Sequence, residues 1–185
     1  MGTVERLFVA APLTDDVRHA LAAHLGAALD GRDLPGRPVA PENWHLTLRF
    51  LGEAAPVEKD RLVRALDTAD LGPSFSVRFG GLGAFPRARK ATVLWLGVGG
   101  GADELGALAA AVEDAAQAAG FPGEERPFHA HLTLSRIRPH QDVTPLVERV
   151  PPFPAVLPVA EVVLFRSHLG RGGARYEGVD RFGLR

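Results

Sequence analysis

Two periods of apolar and polar positions organise this chain. Residues 7–11 (Leu-Phe-Val-Ala-Ala) form an unbroken apolar run closed by Pro12, which predicts a buried strand. Thr14, Asp15 and Asp16 then supply a cap and an acidic first turn, so a helix is predicted to about Leu29, ended by Asp30-Gly31. A Gly- and Pro-rich loop covers 31–41. Alternation over 44–51 predicts a strand, and 56–69 has helical spacing with proline near the first turn. Residues 75–85 and 91–98 predict paired strands joined by the basic turn Arg87-Ala88-Arg89-Lys90. An alanine-rich helix is expected over 103–119, with Gly120 at its C-terminal cap. Further strands are expected at 129–137, 159–166 and 174–182, and a short helix at 145–150.

Within this pattern one tetrapeptide repeats. His-Leu-Thr-Leu stands at 45–48 and again at 131–134, almost half the chain later, with a strand and a long helix upstream of each copy. The arrangement predicts an α+β unit duplicated about a pseudo-twofold axis. Two equivalent strands would then face one another across a central groove. Side chains alternate along a strand, so His45 and Thr47 share one face, as do His131 and Thr133.

Composition adds limits. The chain has 185 residues, 46% hydrophobic and 23% charged, which fits one large domain or two small lobes sharing a core. There is no cysteine, which excludes a disulfide framework and thiolate-held metal and fits a reducing cytoplasm. The amino terminus has neither a basic leader nor a cleavage site, and Arg6 stands where a myristoylation signal needs a hydroxyl. No apolar stretch approaches the roughly 20 residues that span a bilayer. A net charge of −1 argues against gripping long nucleic acid, so an RNA partner would be read at an end or as a short piece. Nothing points to an obligate interface, and a monomer is expected.

Two imidazoles and two hydroxyls in one groove suit in-line displacement at phosphorus. With an unperturbed pKa near 6.5, one imidazole can be neutral and accept a proton from water while the other is charged and donates to the leaving oxygen. Threonine hydroxyls can donate to the non-bridging oxygens.

The chain resembles the two-histidine phosphoesterase superfamily, specifically the RNA 2′,3′-cyclic phosphodiesterases, also called LigT-like 2′-5′ RNA ligases. The resemblance runs through Arg6-Leu7-Phe8-Val9-Ala10, through 41–53 around the first motif, and through 81–86 and 93–97. It continues through 126–136 around the second motif, and through 164–167 and 173–177. It implies a bilobal α+β fold whose two antiparallel sheets form a central groove with helices outside. It also implies a cofactor-free hydrolase in which His45 protonates the departing 3′-oxygen and His131 activates water, leaving a 2′-phosphate. The opposite assignment of the two roles is left open. By the same resemblance Thr47 and Thr133 hold phosphate oxygens, Arg136 assists phosphate binding and Phe50 stacks on the terminal base. Weak 2′-5′ joining is implied by the family name. The pattern departs at Ala130, where many relatives have proline.

His129 and His131, with His45 across the groove, could form a three-histidine zinc site. A non-catalytic RNA-end or nucleotide-binding module could keep the same groove. Residues 97–101 lack the Gly-Lys-Ser/Thr of a phosphate-binding loop. Arg87, Arg89 and Lys90 read as a solvated hairpin tip, and His19, His24 and His140 as surface residues. His168 reads as structural, while Arg171, Arg175 and Tyr176 could line the far wall of the groove.

Overall fold

The computed structural model describes residues 3–185; Met1 and Gly2, at the amino terminus judged to lack a leader, lie outside them. In chain order the elements are β1 (Glu5–Pro12), α1 (Asp15–Leu29), β2 (Arg37–Pro38), β3 (His45–Ala54), α2 (Pro56–Thr68), β4 (Phe75–Phe85) and β5 (Ala91–Gly100). Then follow α3 (Ala102–Ala118), β6 (His131–Gln141), α4 (Thr144–Arg149), β7 (Val156–Val159), β8 (Glu161–Gly170) and β9 (Gly173–Gly183).

Local chemistry sets the helix ends. Thr14 Oγ1 accepts from the Val17 N–H at 3.4 Å, and Asp30 closes α1 in the left-handed region at φ 51°. Glu58 accepts from the Ala55 N–H at 2.7 Å at the start of α2. Both are exposed helices whose leucines (Leu21 and Leu25, Leu62 and Leu66) turn inward.

The strands form two antiparallel sheets, in the orders β3-β1-β8-β9 and β2-β6-β5-β4-β7. The predicted duplication appears as matched topology. In one half β1 leads through α1 to β3, which returns antiparallel to it; in the other β5 leads through α3 to β6, which does the same. A hydrophobic core continuous through both halves fills the space between sheets and helices, with Leu7, Leu46, Leu94 and Leu132 all about 1% exposed or less. The two motif strands come alongside one another at the meeting of the sheets.

Two strands were not anticipated. β2 is two residues long and contains proline, and β7 is four residues, Val-Leu-Pro-Val, so neither has a readable period. β2 exists because Gly36 adopts φ +76° and passes so close to β6 that a Cβ there would lie 2.5 Å from the Arg136 carbonyl oxygen. The basic hairpin tip is a single 3₁₀ turn, Ala88–Lys90. Among the described residues no helix is long and apolar enough to cross a membrane.

Candidate active site

The two motif strands reach the groove in the same way. His45 Nδ1–H donates to the Asn43 carbonyl at 2.6 Å, and His131 Nδ1–H donates to the His129 carbonyl at 2.7 Å. A carbonyl can only accept, so each Nδ1 carries the proton and each neutral ring has a bare Nε2. The intervening leucines, Leu46, Leu48, Leu132 and Leu134, are buried as the alternation requires.

Strict alternation would send Phe50 and Arg136, five residues beyond their histidines, to the opposite face. It does not, because each strand carries one extra residue between its histidine and that position. On β3 the pairing with β1 passes from Thr47 to Arg49, and on β6 the pairing with β5 passes from Thr133 to Ser135. Leu48 and Leu134 are thus bulged at equivalent places, and Arg49 and Ser135 turn inward beside them. These two are the buried polar residues among the described residues, and both are satisfied. Arg49 donates to the Glu113 carboxylate and to the carbonyls of Phe50 and Pro122, and Ser135 donates to the Pro35 carbonyl. The bulges return Phe50 and Arg136 to the groove side, where both are exposed.

Three linked clefts make up the groove. One of about 540 Å³ gathers Thr47, Phe50, His131, Thr133 and Arg136, together with Phe85, Phe128 and His129. A second of about 620 Å³ shares Phe50, Arg126 and Arg136 with it. A third of about 490 Å³ runs along His45, Trp44, Phe165 and Tyr176 and meets the second at Asn43 and Tyr176. Thr47 and Thr133 have no intramolecular partner for their hydroxyls among the described residues.

Aromatic walls enclose both histidines. His45 lies 4.8 Å from the Phe8 ring and 5.3 Å edge-on to Tyr176. His131 lies 5.0 Å edge-on to Phe85, which with Trp95 also contacts His129. Trp95 itself lies flat over Gly83, where a Cβ would meet its indole at 2.1 Å. Burial is the main cause that pushes His45 down from 6.5 to about 4, with the Arg136 and His131 charges acting in the same direction and the Asn43 bond opposing. His131 is also lowered, again first by burial, and then by the His129 and Arg136 charges. That Arg136 acts on both rings, and His131 on His45, places these three groups in one field.

Phe8, Phe85, Trp95 and Phe128 lie in stretches that carry the family resemblance, but sequence reading assigns them no site role, because aromatics on or beside strands read first as core. Tyr176 lines the groove as one reading had it, whereas Arg175 sits on the other face of β9, opposite His168. His168 pairs with Glu177 at 2.7 Å, away from the groove, and His24 bonds the Pro151 carbonyl at 2.9 Å instead of being merely solvated. Among the described residues no three of His, Asp and Glu are grouped to hold a metal ion, so the three-histidine zinc set does not assemble.

Comparison with known proteins agrees with this architecture. The sequence pattern of the 2′-5′ RNA ligase superfamily matches residues 34–171. RNA 2′,3′-cyclic phosphodiesterase of Aeropyrum pernix is 34% identical over 84% of this chain and 90% of its own length. The Escherichia coli protein of the same name is 34% identical over 100% of this chain and 99% of its own. Escherichia coli LigT complexed with 3′-AMP superposes with a TM-score of 0.81 at 31% identity, covering 98% of this chain and 99% of that one. Its complex with phosphate gives 0.75 at the same identity. With that pattern spanning most of its length and relatives of that identity matching end to end, the chain belongs to the 2′-5′ RNA ligase superfamily.

Proposed function

We propose that this protein hydrolyses 2′,3′-cyclic phosphate ends of RNA to 2′-phosphomonoesters by two-histidine acid–base catalysis, acting without a cofactor as a cytoplasmic monomer built as one bilobal domain. One observation carries the reading: two imidazoles are pinned alike through Nδ1, leaving bare Nε2 atoms in a groove that also holds two unengaged hydroxyls and Arg136.

His131 acts as the base. Its ring proton sits on Nδ1 facing the His129 carbonyl, so its bare Nε2 can take a proton from water. The water oxygen bonds to phosphorus, the P–O3′ bond opposite breaks, and His45 gives a proton to the departing 3′-oxygen. His45 suits the acid role because its ring lies against Phe8, whose π face favours an imidazolium. Burial holds it near about 4, and the negative charge of a phosphodiester beside it acts in the opposite direction. Thr47 and Thr133 donate to the non-bridging oxygens, Arg136 offsets their charge, and Phe50 stacks on the terminal base. A 5′-hydroxyl attacking in place of water would form a 2′-5′ linkage with the same proton transfers, which gives a weak ligase activity.

The test is cleavage, in EDTA, of a short RNA ending in 2′,3′-cyclic phosphate. Wild type turns over, and His45→Ala and His131→Ala each lose about 10³-fold in kcat. Wild type that binds this RNA without cleaving it is an end-binding module, and the catalytic reading fails.

A further inference from the structure

We propose that the 620 Å³ cleft beside the histidines holds a second nucleotide, the one on the 5′ side of the cyclic phosphate, with its phosphodiester seated on Arg6 and Arg37. The proposal rests on the hydrolase reading and extends its substrate from a nucleotide end to a dinucleotide end.

Charge is the first argument. Among the described residues Arg6, Arg37 and Arg136 of this cleft have no carboxylate within salt-bridge distance and Arg126 pairs with Glu124, whereas both arginines of the 490 Å³ cleft, Arg18 and Arg181, are paired. The chain has 22 acidic residues for 21 basic ones, so the missing partners are not a matter of supply. Arg37 and Arg136 also stand directly opposite on the β2–β6 ladder. Like charges at that spacing cost stability unless an anion lies between them.

Geometry is the second. Arg6 shares the groove face of β1 with Phe8 and is paired with Ser167, another residue of this cleft. Arg37 comes from the other sheet and crosses to the β8–β9 turn, where a Cβ on Gly173 would lie 3.7 Å from its Nη2. Two guanidinium groups thus approach one space from the two halves of the molecule. Leu169, 70% exposed, stands beside the same cleft and gives the second base an apolar surface next to Phe50, which serves the terminal one. Large side chains held in water at a cleft mark a contact surface.

The contrast with the 490 Å³ cleft sets the direction. There Arg18 is neutralised by Asp15 and Arg181 by Glu161, and Glu42 adds a further negative charge. A phosphodiester chain leaves the histidines by the basic side.

Binding separates this proposal from the catalytic one. Isothermal calorimetry compares a 3′-phosphorylated ribodinucleotide with a 3′-phosphorylated mononucleoside on wild type, Arg6→Ala, Arg37→Ala and Arg37→Lys, alongside turnover of the corresponding cyclic ends. Wild type binds the dinucleotide about tenfold more tightly, the margin one charge-assisted contact supplies, and both alanine variants bring the ratio close to unity. Arg37→Lys recovers part of it. A wild-type ratio near unity, or a ratio unchanged in both alanine variants, overturns the second nucleotide site. An arginine-dependent ratio in a protein that turns nothing over supports the site and removes the hydrolase reading instead.

Discussion

Each imidazole spends its one neutral-state proton on a carbonyl two residues upstream, so ring orientation is set by the strand's own backbone. That arrangement has a thermodynamic consequence at His45. In the unfolded chain the residue takes up a proton near 6.5, while burial delays protonation in the folded chain to about 4. Between those values the unfolded state binds more protons, so stability falls as pH falls through the window and is unaffected above it. His131 is shifted in the same direction and adds to the effect. His45→Asn removes the larger contribution. Wild type should therefore lose more Tm than His45→Asn on going from about pH 7 to about pH 5 in scanning calorimetry. Equal pH slopes in the two proteins would mean that burial does not hold this ring neutral.

At the scale of elements, what could be read from sequence was what local chemistry settles. The cap and end of α1 follow from Thr14 and Asp30, and the shared face of His45 with Thr47 follows from the strand period. The bulges at Leu48 and Leu134 could not be read, because a bulge is a mismatch with a partner strand and the partners β1 and β5 lie far away in sequence. Family resemblance put Phe50 and Arg136 in the groove where the period alone put them outside it; the bulge is the physical reason. β3's bulge also ties the site together. Arg49, turned inward, holds Glu113 of α3 and the Pro122 carbonyl, and lies 3.8 Å from Glu124. Glu113 in turn accepts from the Glu124 N–H at 2.9 Å, which anchors the segment that brings Arg126, Phe128 and His129 to the groove. Arg49→Ala takes the charged donor from the partly buried Glu113 carboxylate and leaves the Pro122 carbonyl without its donor, and should cost about 3 kcal/mol in urea unfolding. Glu113→Gln keeps its bond to Gln117 and should cost less than half of that, roughly 1 kcal/mol. Equal losses in the two would show that Arg49 contributes through its ion pair with Glu113 alone and that its bonds to the carbonyls add nothing.

Taken over the whole molecule, charge is arranged rather than accumulated. The net value of −1 offers no general attraction for a polyanion, yet Arg6, Arg37 and Arg136, none with a carboxylate at salt-bridge distance among the described residues, gather in one cleft of the groove. A surface of this kind should engage two or three phosphates and no more. For single-stranded RNA each neutralised phosphate contributes about 0.7 to the slope of log affinity against log salt, so a total slope of about −1.5 to −2 is expected. Titrating fluorescently labelled 3′-phosphorylated oligonucleotides between about 50 and 500 mM salt measures it. Because the proposed phosphate contacts are those of the 620 Å³ cleft, lengthening the RNA beyond about three nucleotides should change neither slope nor affinity. A slope that steepens steadily with length would show that the RNA also runs over exposed basic residues outside the groove, such as Arg87, Arg89 and Lys90, and would overturn the confinement to this cleft.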